Sequence, residues 1–196
     1  MASVVVCPEC HLPIVLGTRG KTVTRSFRID EAALAALEEE AERKNMSVNT
    51  FLNQQILSFA KFDRFFMRLG LVKLSVNTLQ RLIDAATDTT IVEAAVVAAR
   101  DTPRAIMLSK HGQVTIETTL EYIMTLSEFA NLFECSISHS LKGQVVTLTH
   151  QFGPRGSMFF ANYVKTLFEL VGIKPELMIS PHSVDFEIIS STSNVV

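Results

Sequence analysis

The 196-residue chain has three cysteines, nothing near the roughly 18 uninterrupted apolar residues of a membrane span, and none of the common catalytic fingerprints. Each absence removes a class of protein. Cys7 and Cys10 form one C-x-x-C and Cys135 stands far away, which fits a reducing compartment better than a disulfide framework. Without a long apolar run the chain is expected to make no membrane contact. The start, MASVVVCPEC, lacks the basic and apolar regions of a secretory signal, so a cytoplasmic location is expected. No Ser/His/Asp set, P-loop, HExxH or dinucleotide motif is present, and the sequence points away from an enzyme. No internal repeat or low-complexity tract appears apart from the polar tail SSTSNVV. A formal net charge of −2 gives no general attraction for nucleic acid.

Hydrophobic residues make up 47% of the chain, enough to exclude general disorder. The charge is unevenly placed: residues 10 to 29 hold Arg19, Lys21, Arg25 and Arg28 and no acid. Four segments follow from the patterning: a C-x-x-C segment at 1–20, a module at 21–69, a helical connector at 70–112, and an α+β domain at 113–196.

Asp30 stands as N-cap before EAALAALEEEAERKN, where Leu34, Leu37 and Ala41 recur at helical spacing, so a helix is expected over about 31–44. Asn45 can end it in the left-handed conformation. Ser47 then caps a second helix, with Met46 and Phe51 at staple positions. Its apolar stripe through Phe59, Phe62, Phe66 and Leu69 predicts one helix running to Gly70. Further helices are expected at about 75–86, 89–101 (closed by Pro103), 115–132 and 155–171. FECSISHS and QVVTLTHQF read as a hairpin turning at Lys142-Gly143, with later strands ELMIS and VDFEII. The order of these elements gives a C-terminal α+β domain with an antiparallel sheet.

TVTRSFRID, Thr22 to Asp30, alternates like a strand but has no partner nearby in sequence. Val23, Arg25, Phe27 and Ile29 share one side, and Thr22, Thr24, Ser26 and Arg28 the other. Since a lone strand cannot satisfy its own backbone, the simplest partner is the same strand of a second chain. Strand, short helix, turn and second helix in TVTRSFRIDEAALAALEEEAERKNMSVNTFLNQQIL resemble the ribbon-helix-helix DNA-binding family over about residues 22–60. The resemblance implies a homodimer whose antiparallel ribbon enters the major groove of double-stranded DNA. Thr24, Ser26 and Arg28 would then face bases, with Thr22 at the ribbon's end, while Ser47, Val48 and Asn49 bind phosphate at the second helix's N-terminus. Phe27, Ile29, Leu34, Leu37, Phe51 and Ile56 would form the dimer core. Two positions depart from the pattern: Asn45 replaces a frequent glycine, and Arg25 sits on the apolar side, from which it must snorkel outwards or reach a phosphate.

CPECH, Cys7 to His11, has the turn spacing with which two thiolates grip one metal. Two copies would complete a four-cysteine zinc site shared across a dimer, and CPEC is similar to the CPxC half-site of the zinc hook in a DNA-repair coiled-coil ATPase. An intrachain zinc site, a redox thiol pair or free cysteines are the other readings.

In the C-terminal hairpin a turn at Lys142-Gly143 places Cys135 opposite His150 and His139 opposite Val146 on one face. Cys135, His139 and His150 would bind a metal, haem or small ligand there, or simply pack. The later stretch from Phe152 to Ile189 is distantly similar, in order and spacing, to the end of haem-NO-binding and four-vinyl-reductase type sensing domains. That similarity transfers no ligand residues. Met158, Phe159, Tyr163, Leu167 and Leu170 are expected to pack the helix on the sheet. The expected function is a dimeric, sequence-specific transcriptional regulator whose C-terminal domain senses an effector or oligomerises. The alternative is an antitoxin-like or protein-interaction module with secondary DNA binding.

Overall fold

The computed structural model describes residues 4–6, 13–15, 22–70, 72–140 and 143–189. The chain is α+β and divides into two compact units, Gly17–Leu71 and Met1–Leu16 with Val72–Val196. Among the described residues no helix is long and apolar enough to cross a membrane.

In the first unit, residues 22–30 form neither helix nor strand. Asp30 caps α1 (Glu31–Arg43), its carboxylate accepting from the amides of Ala32 at 3.0 Å and Ala33 at 3.1 Å. The helix ends as expected at Asn45, whose φ of 53° lets the Met46 amide reach the Ala41 carbonyl at 3.0 Å. Ser47 caps α2 (Val48–Ser58) by accepting from the Thr50 amide at 3.1 Å.

The second helix does not run unbroken to Gly70. It passes through a π-helical turn at Phe59–Asp63, α3 (Arg64–Phe66) and a 3-10 turn at Met67–Leu69 before left-handed Gly70. The wider π turn inserts about one extra residue and so rotates the later side chains relative to a straight helix. Phe59, expected on the apolar stripe, is therefore 54% exposed, whereas Phe65 joins Phe62 and Phe66 among the buried residues. The rings of Phe62 and Phe66 stack at 4.1 Å, and Ser58 donates to Asp63 Oδ2 at 3.0 Å across the turn.

In the second unit, β1 (Val4–Val6) pairs antiparallel with β2 (Pro13–Val15). Three capped helices follow: α4 (Val76–Ala85) behind Ser75, α5 (Asp88–His111) behind Thr87, and α6 (Ile116–Phe129) behind Thr115. Then come β3 (Glu134–His139), β4 (Gly143–Thr149), α7 (Gly153–Glu169), β5 (Glu176–Ser180) and β6 (Ser183–Ile189). The last four strands form an antiparallel sheet ordered β3-β4-β6-β5. Its inner face buries Val146, Leu148, Val184, Phe186 and Ile188, and α7 packs there through Phe168, whose ring lies 5.4 Å from that of Phe186. The helix α5 packs along α7, so residues 72–112 belong to the sheet's unit.

Two sequence expectations change here. Pro103 does not close a helix, because α5 continues to His111 and ends at left-handed Gly112. An interior proline costs about 3 kcal/mol in an isolated helix. Here Pro103 extends the buried row Ile91, Ala95 and Ala99, which recurs every fourth residue, and Ile106 and Met107 continue the burial beyond it. Tertiary packing thus outweighs the local penalty. Secondly, the β3–β4 hairpin closes between Ser140 and Gly143, with the Ser140 amide donating to the Gly143 carbonyl at 2.8 Å and the Gly143 amide to Ser140 Oγ at 3.1 Å. Glycine takes the last turn position rather than a central one, which slips the expected register by two residues. Cys135 therefore faces Leu148 and His139 faces Gln144; an even slip leaves the faces of the sheet unchanged.

In α7, Tyr163 and Leu167 are buried and Met158 and Phe159 half-buried, whereas Leu170, expected to pack, stands beyond the helix end and is exposed.

Candidate functional site

Thr22, Thr24, Arg25, Ser26 and Arg28 are all exposed. No strand among the described residues pairs with this segment. Its apolar side is open as well: Val23, Phe27 and Ile29 are 78%, 61% and 38% exposed. Leaving three apolar side chains in water is unfavourable by about 25 cal/mol for each Å² that a partner could cover. Of the residues expected in a dimer core, Phe51 is buried, Leu34 and Leu37 are half-buried, and Ile56 is exposed. Arg25 reaches solvent, so no unpaired buried charge arises within one chain.

The start of α2 presents a second set of polar groups. Ser47 Oγ is engaged by the Thr50 amide and lies 2.8 Å from Thr50 Oγ1. The amides of Val48 and Asn49 belong to the first turn, where no intrahelical acceptor exists, and Asn49 is exposed. These donors, with the positive end of the helix dipole, suit an anion. Nearby charge is segregated: Glu38, Glu39, Glu40 and Glu42 lie in the second half of α1, whereas residues 22–29 carry only Arg25 and Arg28. Lys44 extends its ammonium over the Phe51 ring at 5.2 Å.

Cys7 and Cys10 lie outside the described residues. The strands on either side of their segment pair with Val6 opposite Pro13.

Cys135, His139 and His150 are not brought together. Cys135 and His139 stand four positions apart along β3, about 13 Å at the usual rise. His150 follows the end of β4 next to the Glu134–Thr149 pair, far along the hairpin from His139. No group of three or more metal-binding side chains occurs among the described residues. Cys135 is half-buried, and burial pushes its thiol up to about 11. His150 has no nitrogen to spare. Its Nδ1 accepts from the Phe152 amide at 3.2 Å, which places the proton on Nε2, 3.0 Å from Ser157 Oγ. Ser157 in turn donates to the Ser180 carbonyl at 2.5 Å. Histidine is thus the donor and serine passes the bond onward, opposite to the polarity a base needs to activate a nucleophile. Burial and the neighbouring His182 both lower the pKa of His150.

This network was not evident in the sequence, although HQFGPRGS holds all its side-chain partners within one helical entry. Gly156 makes room for it: a Cβ there would lie 2.3 Å from Phe152 Cβ and 3.3 Å from the His150 ring. A groove of about 380 Å³ opens beside it, lined by Ser127, Asn131, Phe133, Glu134, Thr149 and His150 among others. Between α6 and α7 the Tyr122 and Tyr163 hydroxyls meet at 3.0 Å; burial pushes Tyr122 up to about 12 and Tyr163 well above its ordinary value, keeping both protonated.

In comparisons with known proteins, the chain matches no family model, no curated protein and no solved structure.

Proposed function

We propose that the protein is a dimeric, sequence-specific DNA-binding transcriptional regulator of the ribbon-helix-helix kind, located in the cytoplasm on the nucleoid. The observation that carries this reading is the segment 22–30: it has no strand partner among the described residues and leaves Val23, Phe27 and Ile29 exposed. A second copy pairing antiparallel would satisfy the backbone groups on the joined edge, and the helices of the two copies would cover the apolar side. The opposite side of the ribbon, with Thr24, Ser26 and Arg28, enters the major groove, where Arg28 takes guanine O6 and N7. Thr22 and Arg25 flank it near the phosphates, and Ser47 with the amides of Val48 and Asn49 holds one phosphate on each side. The C-terminal α+β unit senses an effector or adds dimer contacts. Cys7 and Cys10 from both copies share one zinc ion.

Comparing Arg28→Ala on a selected site and on random DNA tests the reading role. A loss of about 1–3 kcal/mol on the selected site, with a much smaller loss on random DNA, is expected of a base contact. Equal losses on both would reduce Arg28 to a phosphate contact.

A further inference from the structure

The groove beside His150 is built where α6 ends and the β3–β4 hairpin begins. The chain leaves α6 through left-handed Asn131 and passes Phe133 to reach Glu134, the first residue of β3. The end of β4 sets Thr149 directly opposite Glu134, and Gln151 follows two positions on. At about 380 Å³ the groove falls in the range of small-molecule sites. Four of its polar side chains, those of Asn131, Glu134, Thr149 and Gln151, make no hydrogen bond or ion pair among the described residues. They are open to a ligand.

The electrostatics of the groove have one sign. Glu134 places a carboxylate in the wall, and the last carbonyls of α6 carry the negative end of the helix dipole. Among the described residues no lysine or arginine lines it, and His150, its pKa lowered by burial, stays neutral at pH 7. An anion would meet repulsion there with no cation to offset it. Leu132 and the almost fully buried Phe133 add an apolar wall, and no three metal-binding side chains gather among the described residues. The lining therefore suits an organic ion better than a bare metal.

We propose that this groove binds a small organic cation, a primary ammonium beside Glu134 and the end of α6 with a short apolar body against Leu132 and Phe133. The three N–H donors of such a head can be accepted by the Glu134 carboxylate, the Asn131 carboxamide oxygen and the Thr149 hydroxyl. The site belongs to the second unit and stands whether or not the first unit binds DNA.

Titrating the full-length protein with millimolar benzylamine, benzyl alcohol and benzoate, while following its amide chemical shifts, compares three charges at matched size. Benzylamine, protonated at pH 7, should shift the amides of residues 127–134 and 149–151 and saturate. Benzyl alcohol should bind more weakly, and benzoate not at all. Glu134→Gln, at an exposed site, should weaken benzylamine by roughly fivefold, the upper range for an exposed ion pair. Glu117→Gln, exposed at the other end of α6, should leave binding unchanged. Thr149→Lys, also at an exposed site, should abolish it by placing the protein's own ammonium in the groove. No saturable shift in these residues, equal binding of the alcohol or benzoate, or full affinity in either Glu134→Gln or Thr149→Lys overturns the proposal. Shifts scattered over acidic residues elsewhere also overturn it, since they report only general attraction of cations.

Discussion

His150 Nε2 and Ser157 Oγ lie 3.0 Å apart, both buried, in a chain of hydrogen bonds that runs from the Phe152 amide to the Ser180 carbonyl. This chain ties the end of β4 to the second turn of α7 and the end of β5. It works only while His150 is neutral, since a protonated ring would turn its Nδ1 acceptor into a donor facing the Phe152 N–H. The folded pKa lies below the ordinary 6.5, so the unfolded chain takes up the proton first. The stabilisation is therefore complete above about pH 6.5 and is lost as pH falls towards the lower folded value. Urea midpoints should drop between pH 7 and pH 5, and the slope should shrink in His150→Gln. Ser157→Ala strands the histidine N–H and the Ser180 carbonyl, and should cost about 1–3 kcal/mol at pH 7. A variant as stable as the parent would show that the network contributes nothing.

Gly156 sits inside the same corner. Because the nearest atom to an added Cβ is Phe152 Cβ at 2.3 Å, close to rigid backbone, Gly156→Ala must displace the start of α7. The expected cost is about 1–3 kcal/mol of stability, read as a lowered thermal midpoint. An unchanged midpoint would mean that the close approach is not maintained in solution.

Much of this fold is legible in the sequence, for local reasons. Asp30 and Ser47 cap helices as their hydroxyl and carboxylate chemistry predicts, and Asn45 adopts the left-handed backbone. The features that escape are those set by packing at a distance. Pro103 stays helical because its row on α5 is buried. Phe59 and Phe65 exchange roles because a π turn rephases the stripe, a change that periodicity cannot register. The hairpin register follows a turn that the Ser140 amide closes on the Gly143 carbonyl and Ser140 Oγ reinforces by accepting the Gly143 amide. His150 reads as a ligand in the sequence because hairpin spacing sets it opposite Cys135; with Nδ1 accepting from the Phe152 amide and Nε2–H donating to Ser157, no lone pair remains for a metal.

If the exposed side of 22–30 is a dimer face, a charge there should separate the chains. Phe27→Asp places a carboxylate at a site 61% exposed in one chain, where it is tolerated, and in the apolar core of a dimer, where it is not. Light scattering should move from dimer to monomer with little change in the far-ultraviolet circular dichroism. A variant that stays dimeric with the parent's affinity would exclude the ribbon as the interface.

Shared zinc makes a stoichiometric prediction. Metal analysis of the purified protein should return one zinc for every two chains, and Cys7→Ser should remove it. One zinc per chain would indicate an intrachain site, and none would leave Cys7 and Cys10 as thiols.

Selection of binding oligonucleotides from a random pool, at a fixed near-physiological salt concentration, decides whether the protein reads DNA sequence. A dimeric ribbon reader should enrich a short site repeated with two-fold symmetry, bound by a dimer and lost when Thr24, Ser26 and Arg28 are replaced together by alanine. A pool that emerges without enrichment, or a site bound equally well by the triple variant, would contradict it.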